Sequence, residues 1–258
     1  MKYAILAASL FASFATVMVQ PALAEESGKY SVETGMDYNT GKYGGTQSTN
    51  ILYVPVTGKY KNKLWTLRVT VPYLRITGPA NVINGVGAVT TANGSITTRS
   101  GLGDVILGAT RSVYSDSASR TLVNLTGKVK LGTASSTQGL GTGANDYMFQ
   151  SEIYQATGSL TKFGILGYKI YGSPTGYKLN NILYGSLGGS YKLDPATSGG
   201  MMLSLGQKTT TTGSSRIEAI FFVSRKLDET WKAQGYFLKG FTNSVPNIGV
   251  GATISYQL

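Results

Sequence analysis

Beyond residue 24 the chain holds no apolar stretch approaching the roughly 20 residues a membrane-spanning helix needs. It nevertheless alternates apolar and polar side chains with period two, segment after segment. Tyr30, Val32, Thr34, Met36 and Tyr38 share one face, with Ser31, Glu33, Gly35 and Asp37 on the other. Trp65, Leu67, Val69, Val71 and Tyr73 alternate with Thr66, Arg68, Thr70 and Pro72. Val123, Leu125, Gly127, Val129 and Leu131 alternate with Asn124, Thr126, Lys128 and Lys130. Tyr147, Phe149, Ser151 and Ile153 alternate with Met148, Gln150, Glu152 and Tyr154, and residues 248–258 repeat the pattern. Period two is the geometry of a strand, whose side chains point to opposite faces in turn. Weaker alternation covers 50–60, 103–114, 161–171, 181–193, 199–209, 216–227 and 231–241, bringing the expected count to about 12 strands.

Two folds suit such strands, a soluble sandwich and a membrane barrel. The connections separate them. Every second connection is tight: 61–63, 115–120, 156–160, 194–198 and 228–230. The others are longer: around 40–49, 78–102, 133–145, 172–180, 210–215 and 242–246. Outer-membrane barrels have short periplasmic turns and longer external loops. Aromatic residues sort with them, Tyr30, Tyr60, Trp65, Tyr114, Phe163, Tyr191, Trp231 and Tyr256 at the short-turn end. Tyr38, Tyr73, Tyr147, Tyr171, Tyr184 and Phe241 fall at the other, as two interfacial girdles would require. The expected fold is all-β: a transmembrane antiparallel up-and-down β-barrel, closed by pairing 29–38 with 247–258. The polar faces alone also fit a solvated sandwich.

Composition narrows the chemistry. Charged residues are 14%, against about 25% in soluble domains. Cys and His are both absent, which excludes disulfides, thiolate or imidazole metal sites and His-assisted nucleophiles. Gly139–Gly143 and Gly101–Gly103 look like nucleotide loops, but strands and not helices follow them. No catalytic residue, cofactor or metal is expected, and no enzyme. The net charge of +11 is spread over many turns without a basic helix, so nucleic acid is not an expected partner. Outer-membrane lipid, the barrel-assembly machinery and small-molecule solutes are. Residues 1–24 read as a secretory signal: Lys2, an apolar core from Ala4 to Val19, and Ala22-Leu23-Ala24 before Glu25. The domain plan is therefore a signal peptide, 1–24, and a barrel, 25–258, in a bacterial outer membrane.

The inward faces carry Arg68, Lys128, Lys130 and Lys208 against Glu33, Asp37, Asp104, Glu152 and Glu218, the candidate lumen-lining residues. Lys128 and Lys130 stand about 7 Å apart on one face. With Arg68 they form a positive patch opposite an acidic wall of Glu33, Asp37 and Glu152. Opposed charges keep water and polar solutes moving. Alternatively, neighbouring charges pair and plug the barrel. Both arrangements satisfy the sequence.

Four segments carry a family resemblance: Val71-Pro72-Tyr73-Leu74-Arg75-Ile76-Thr77-Gly78-Pro79, Ser100-Gly101-Leu102-Gly103-Asp104-Val105, Lys130–Thr133 with Gly139–Gly143, and Tyr184-Gly185-Ser186-Leu187-Gly188-Gly189-Ser190-Tyr191. In this order they resemble the outer-membrane transporter family grouped with the meta-pathway of phenol degradation, over most of the mature chain. The resemblance implies an outer-membrane barrel for passive passage of small molecules, hydrophobic or aromatic compounds among them, and supplies no catalytic motif. Many outer-membrane barrels end in Phe; this sequence ends in Leu258. The other function the residues allow is a non-conducting structural or surface-interaction barrel, with 78–102 as its working part. Twelve strands lie between the 8 whose side chains fill the interior and the 16–18 that leave a channel.

Overall fold

The computed structural model describes residues 28–83, 87–88, 95–172, 176, 178–210 and 213–258; the signal peptide expected over 1–24 lies outside them. The strands are β1 (Lys29–Gly41), β2 (Thr49–Lys61), β3 (Trp65–Pro79), β4 (Val82–Ile83), β5 (Gly87–Ala88), β6 (Ile96–Leu102), β7 (Ile106–Asp116) and β8 (Thr121–Lys130). They continue with β9 (Asp146–Thr157), β10 (Leu160–Ile170), β11 (Ile182–Lys192), β12 (Thr197–Gly206), β13 (Arg216–Lys226), β14 (Trp231–Gly240) and β15 (Ile248–Gln257). A closed antiparallel barrel of 12 strands results, to which β6 adds one strand and the β4–β5 hairpin a small sheet. β1 closes the ring on β15, from Ser31↔Gln257 to Thr40↔Ile248.

The alternation becomes an inside and an outside. Leu125 is 51% exposed and its neighbour Thr126 only 3%. Phe149, Ile153, Leu166, Leu187, Phe221 and Val250 are likewise exposed, while Gln150, Glu152, Ser186, Ser204 and Glu218 are buried. An apolar exterior around a polar interior inverts the soluble pattern, and it is stable only in hydrocarbon. At the short-turn end the outer rings pair: Tyr30 with Tyr60 at 5.0 Å and Trp231 with Tyr256 at 4.7 Å between centroids. Arg111 lies over the Trp65 ring.

Two expectations change. The connection expected at 78–102 is largely strand. β3 runs on to Pro79, and its upper half pairs with β6 from Tyr73↔Leu102 to Pro79↔Ile96. Its lower half pairs with β7, so Gly103-Asp104-Val105 breaks one wall strand in two. Residues 96–98 and 100 are exposed whichever way they point, leaving no apolar alternation to read. Secondly, Phe163, Tyr171 and Tyr184 do not join the girdles; each is buried inside. A side chain at Gly188 would run into the Phe163 ring and one at Gly167 into the Tyr184 ring. Inward glycines thus let these rings lie against the wall.

Candidate functional site

The interior is graded from end to end. Near the short turns the inward side chains Ser31, Lys59, Arg68, Asn124, Lys232 and Ser255 are only half-buried. Toward the long loops the described inward side chains are buried. There Tyr43 from the β1–β2 connection, Ile51 and Tyr53 of β2, Leu74 and Ile76 of β3, Val82, Ala88, Ala134 and Leu140 form one buried apolar cluster. Backbone bonds join the loops beneath which it sits: Gly44 N–H donates to Asn243 O at 2.7 Å, and Ala88 N–H to Tyr43 O at 3.2 Å.

Of the nine expected lumen residues, Glu33, Asp37, Asp104, Lys128, Lys130, Glu152 and Glu218 are buried. Arg68 is half-buried on the inward face of β3. Lys208 lies past the end of β12 and is exposed. The charges are interleaved in the wall and do not face each other in opposed groups. Lys130 Nζ donates to Asp104 Oδ2 at 2.6 Å and stands 3.7 Å from Asp146. Asp146 also holds Lys169 at 3.3 Å. Lys59 sits 3.7 Å from Glu33, and Arg216 pairs with Glu218. Glu152 stands beside the basic residues, on β9 next to β8, where its charge reaches both Arg68 and Lys128. It also accepts from Thr126 Oγ1 at 3.1 Å, Gln150 Nε2 at 2.5 Å and Tyr154 Oη at 2.9 Å. Asp37 accepts from Tyr236 Oη at 2.6 Å. Tyr184 Oη donates to Gln150 Oε1 at 2.7 Å.

Lys59, Asp146, Lys169, Arg216, Tyr154, Tyr184 and Tyr236 are interior residues that sequence reasoning did not assign. A signal existed for Arg216: opposite charges at 216 and 218 share a strand face. Lys169 was obscured because Phe163, Ile165 and Lys169 share the inward face with apolar residues, blurring the alternation of β10.

Among solved structures, the chain is similar to the COG4313 outer membrane channel from Pseudomonas putida F1, with 14% identity, TM-score 0.71, and coverage of 93% of this chain and 100% of that one. It is similar to the translocator domain of the autotransporter NalP from Neisseria meningitidis, at 14% identity, TM-score 0.51, and coverage of 98% and 96%. The KdgM porin in complex with disordered oligogalacturonate matches at 13% identity, TM-score 0.50, and coverage of 88% and 98%. At these identities the likeness is one of fold, that of outer-membrane barrels. No curated protein sequence matches. A family model matches residues 23–258, nearly the whole chain, and on that match the chain belongs to the family described as "Putative MetA-pathway of phenol degradation".

Proposed function

We propose that this barrel is an outer-membrane channel for small molecules, closed at its long-loop end in the arrangement described. The observation that carries the reading is the charged interior. Replacing buried ion pairs with apolar side chains is often neutral or stabilising, by about 1–4 kcal/mol. A barrel selected only to fill a membrane gains nothing from Lys59, Arg68, Lys128, Lys130 and Lys169 inside it, whereas a path for polar solutes and water requires such groups. The half-exposed interior near the short turns supports the same reading, as do the family and the channel and porin of like fold. The family's description favours aromatic compounds among the solutes. Transport needs no catalytic group. The family match begins at residue 23, beside the expected cleavage after Ala24, which supports removal of the leader.

The purified barrel is tested in planar bilayers and by liposome swelling. Discrete conductance steps and solute-dependent swelling are expected. A heat-modifiable, correctly folded barrel that gives neither shows the reading to be wrong.

A further inference from the structure

The outer wall differs from one side of the barrel to the other at its long-loop end. From β9 to β13 the outward residue nearest the loops is apolar and exposed in every strand: Tyr147, Ile170, Leu183, Leu205 and Ile217. From β14 to β6 polar residues take over. Lys239 of β14 pairs with Ile248 of β15, and Ile248 with Thr40 of β1. Thr40 pairs with Asn50 of β2, Asn50 with Thr77 of β3, and Thr77 with Thr98 of β6. These six residues form one row across six neighbouring strands. They face out, because Leu238, Asn39, Ile51 and Ile76 beside them are buried inside. The next outward row below is apolar and aromatic: Phe237, Val250, Tyr38 and Leu52. The polar row therefore stands just above the apolar band, at the depth of lipid headgroups.

Three exposed cations frame this row. Lys239 belongs to it, about 10 Å from Thr40 across two strands. Lys42 follows Thr40 by two residues, about 7 Å along the chain and just past the end of β1. Arg75 precedes Thr77 by two residues on β3 and pairs with Leu52 in the row below. Among the described residues none of the three has a carboxylate partner. The carboxylates at this end, Asp37, Asp104, Asp146 and Glu218, are all buried in the interior. The exposed Asp194, Asp228 and Glu229 belong to short turns at the far end. Between the cations, Thr40, Asn50 and Thr77 are partly exposed, and Thr77 Oγ1 shares a 3.0 Å hydrogen bond with Thr98 Oγ1.

We propose that this face of the barrel holds the phosphorylated sugar headgroup of a glycolipid in the outer leaflet. The longer connections of such barrels are the external ones, which puts the row in that leaflet. Basic residues at headgroup depth are drawn to anionic lipid. The Arg75 guanidinium offers a fork that matches a phosphate, and Lys42 and Lys239 supply point charges. Thr40 and Asn50 lie between them, where sugar hydroxyls need hydrogen-bond partners. Directly beneath, Val250, Tyr38 and Leu52 meet the acyl chains. A soluble anion would use the cations alone, whereas a lipid uses the cations, the polar row and the apolar wall together.

The test is native mass spectrometry of the folded barrel in detergent micelles, with EDTA present to remove bridging divalent cations. The probes are bisphosphorylated lipid A, the same lipid with its phosphates removed, and inorganic phosphate. Only the phosphorylated lipid should form a stable adduct, weakening as salt rises. The triple variant Lys42→Gln, Arg75→Gln and Lys239→Gln should bind it at least tenfold more weakly. Lys162→Gln, on the outer face at the short-turn end, should leave binding unchanged. Heat-modifiable gel mobility checks the folding of each variant, and Lys239→Gln alone, a milder change, should give an intermediate loss. Equal binding of the two lipids overturns the proposal, as does full affinity in the folded triple variant. Inorganic phosphate binding as tightly as the lipid overturns it too.

Discussion

Asn62, Asp116, Asp194 and Asp228 each open a short turn in the same way, accepting hydrogen bonds from backbone N–H groups two and three residues on. Asn and Asp favour such turns because their side chains replace a backbone acceptor locally. For Asp228 the donors are Trp231 N–H at 2.7 Å and Thr230 N–H at 2.8 Å, with Thr230 Oγ1 at 2.9 Å. These bonds, the one from Trp231 foremost, favour the carboxylate and hold its pKa below the ordinary 3.8. A depressed folded-state pKa contributes stability above the unfolded value and loses it as pH falls through the folded one. Asp228→Ala should therefore speed amide hydrogen exchange at Thr230 and Trp231 at neutral pH. The difference from wild type should vanish in acid well below pH 3.8, where the wild-type turn is also uncapped. Sequence reading found the positions of these turns but not their shared cap, since it weighed length and not the residue opening each turn. Inward residues were similarly under-read. Thr126, placed by the alternation on the polar face of β8, is 3% exposed and bonded to Glu152, so it is part of a packed network.

At the scale of elements, the break between β6 and β7 is held by one carboxylate. Asp104 accepts from Lys130 Nζ and, at 2.9 Å, from Ala134 N–H, while Thr133 Oγ1 accepts from Val105 N–H at 2.9 Å. The β8–β9 connection is thereby stitched to the split strand. Neighbouring Asp146 shares Lys130 with it. A double change of Lys128 and Lys130 to Glu looks, from sequence, like a test of ion selectivity. The structure makes Lys130→Glu a folding defect instead, because it sets a third carboxylate between Asp104 and Asp146. Breaking a buried pair costs about 3–5 kcal/mol. Lys130→Glu should lower the temperature at which the compact gel band is lost, whereas Lys128→Gln should leave that temperature close to wild type. The strands of the wall were legible because one face meets lipid and the other does not. β6 was not, because both its faces are exposed, and period two is visible only where the two sides differ.

Over the whole molecule, residue parity was readable strand by strand, but register between strands was not. Lys59, Arg68, Lys128 and Lys169, on four separate strands, fall into one row only once β2, β3, β7, β8, β9 and β10 are aligned. Whole-molecule geometry also locates the more buried end of the interior: among the described residues the inward side chains are half-buried at the short turns and buried toward the long loops, with Tyr43 in the loop cluster. Its backbone is left-handed, with φ 48°, and Gly44 follows at 81°. This double inversion carries the ring into the apolar cluster, where Tyr43 is 1% exposed. Among the described residues its hydroxyl has no hydrogen-bond partner. A left-handed non-glycine residue and a buried unpaired hydroxyl each cost about 1–3 kcal/mol. Apolar contact in the cluster offsets these costs. Asn tolerates the left-handed backbone and lacks the ring. Tyr43→Asn should therefore fold with normal heat-modifiable mobility and conduct several-fold better than wild type in planar bilayers. Unchanged conductance in that variant would place the seal elsewhere in the loop cluster, with Leu74 and Leu140 the next residues to replace.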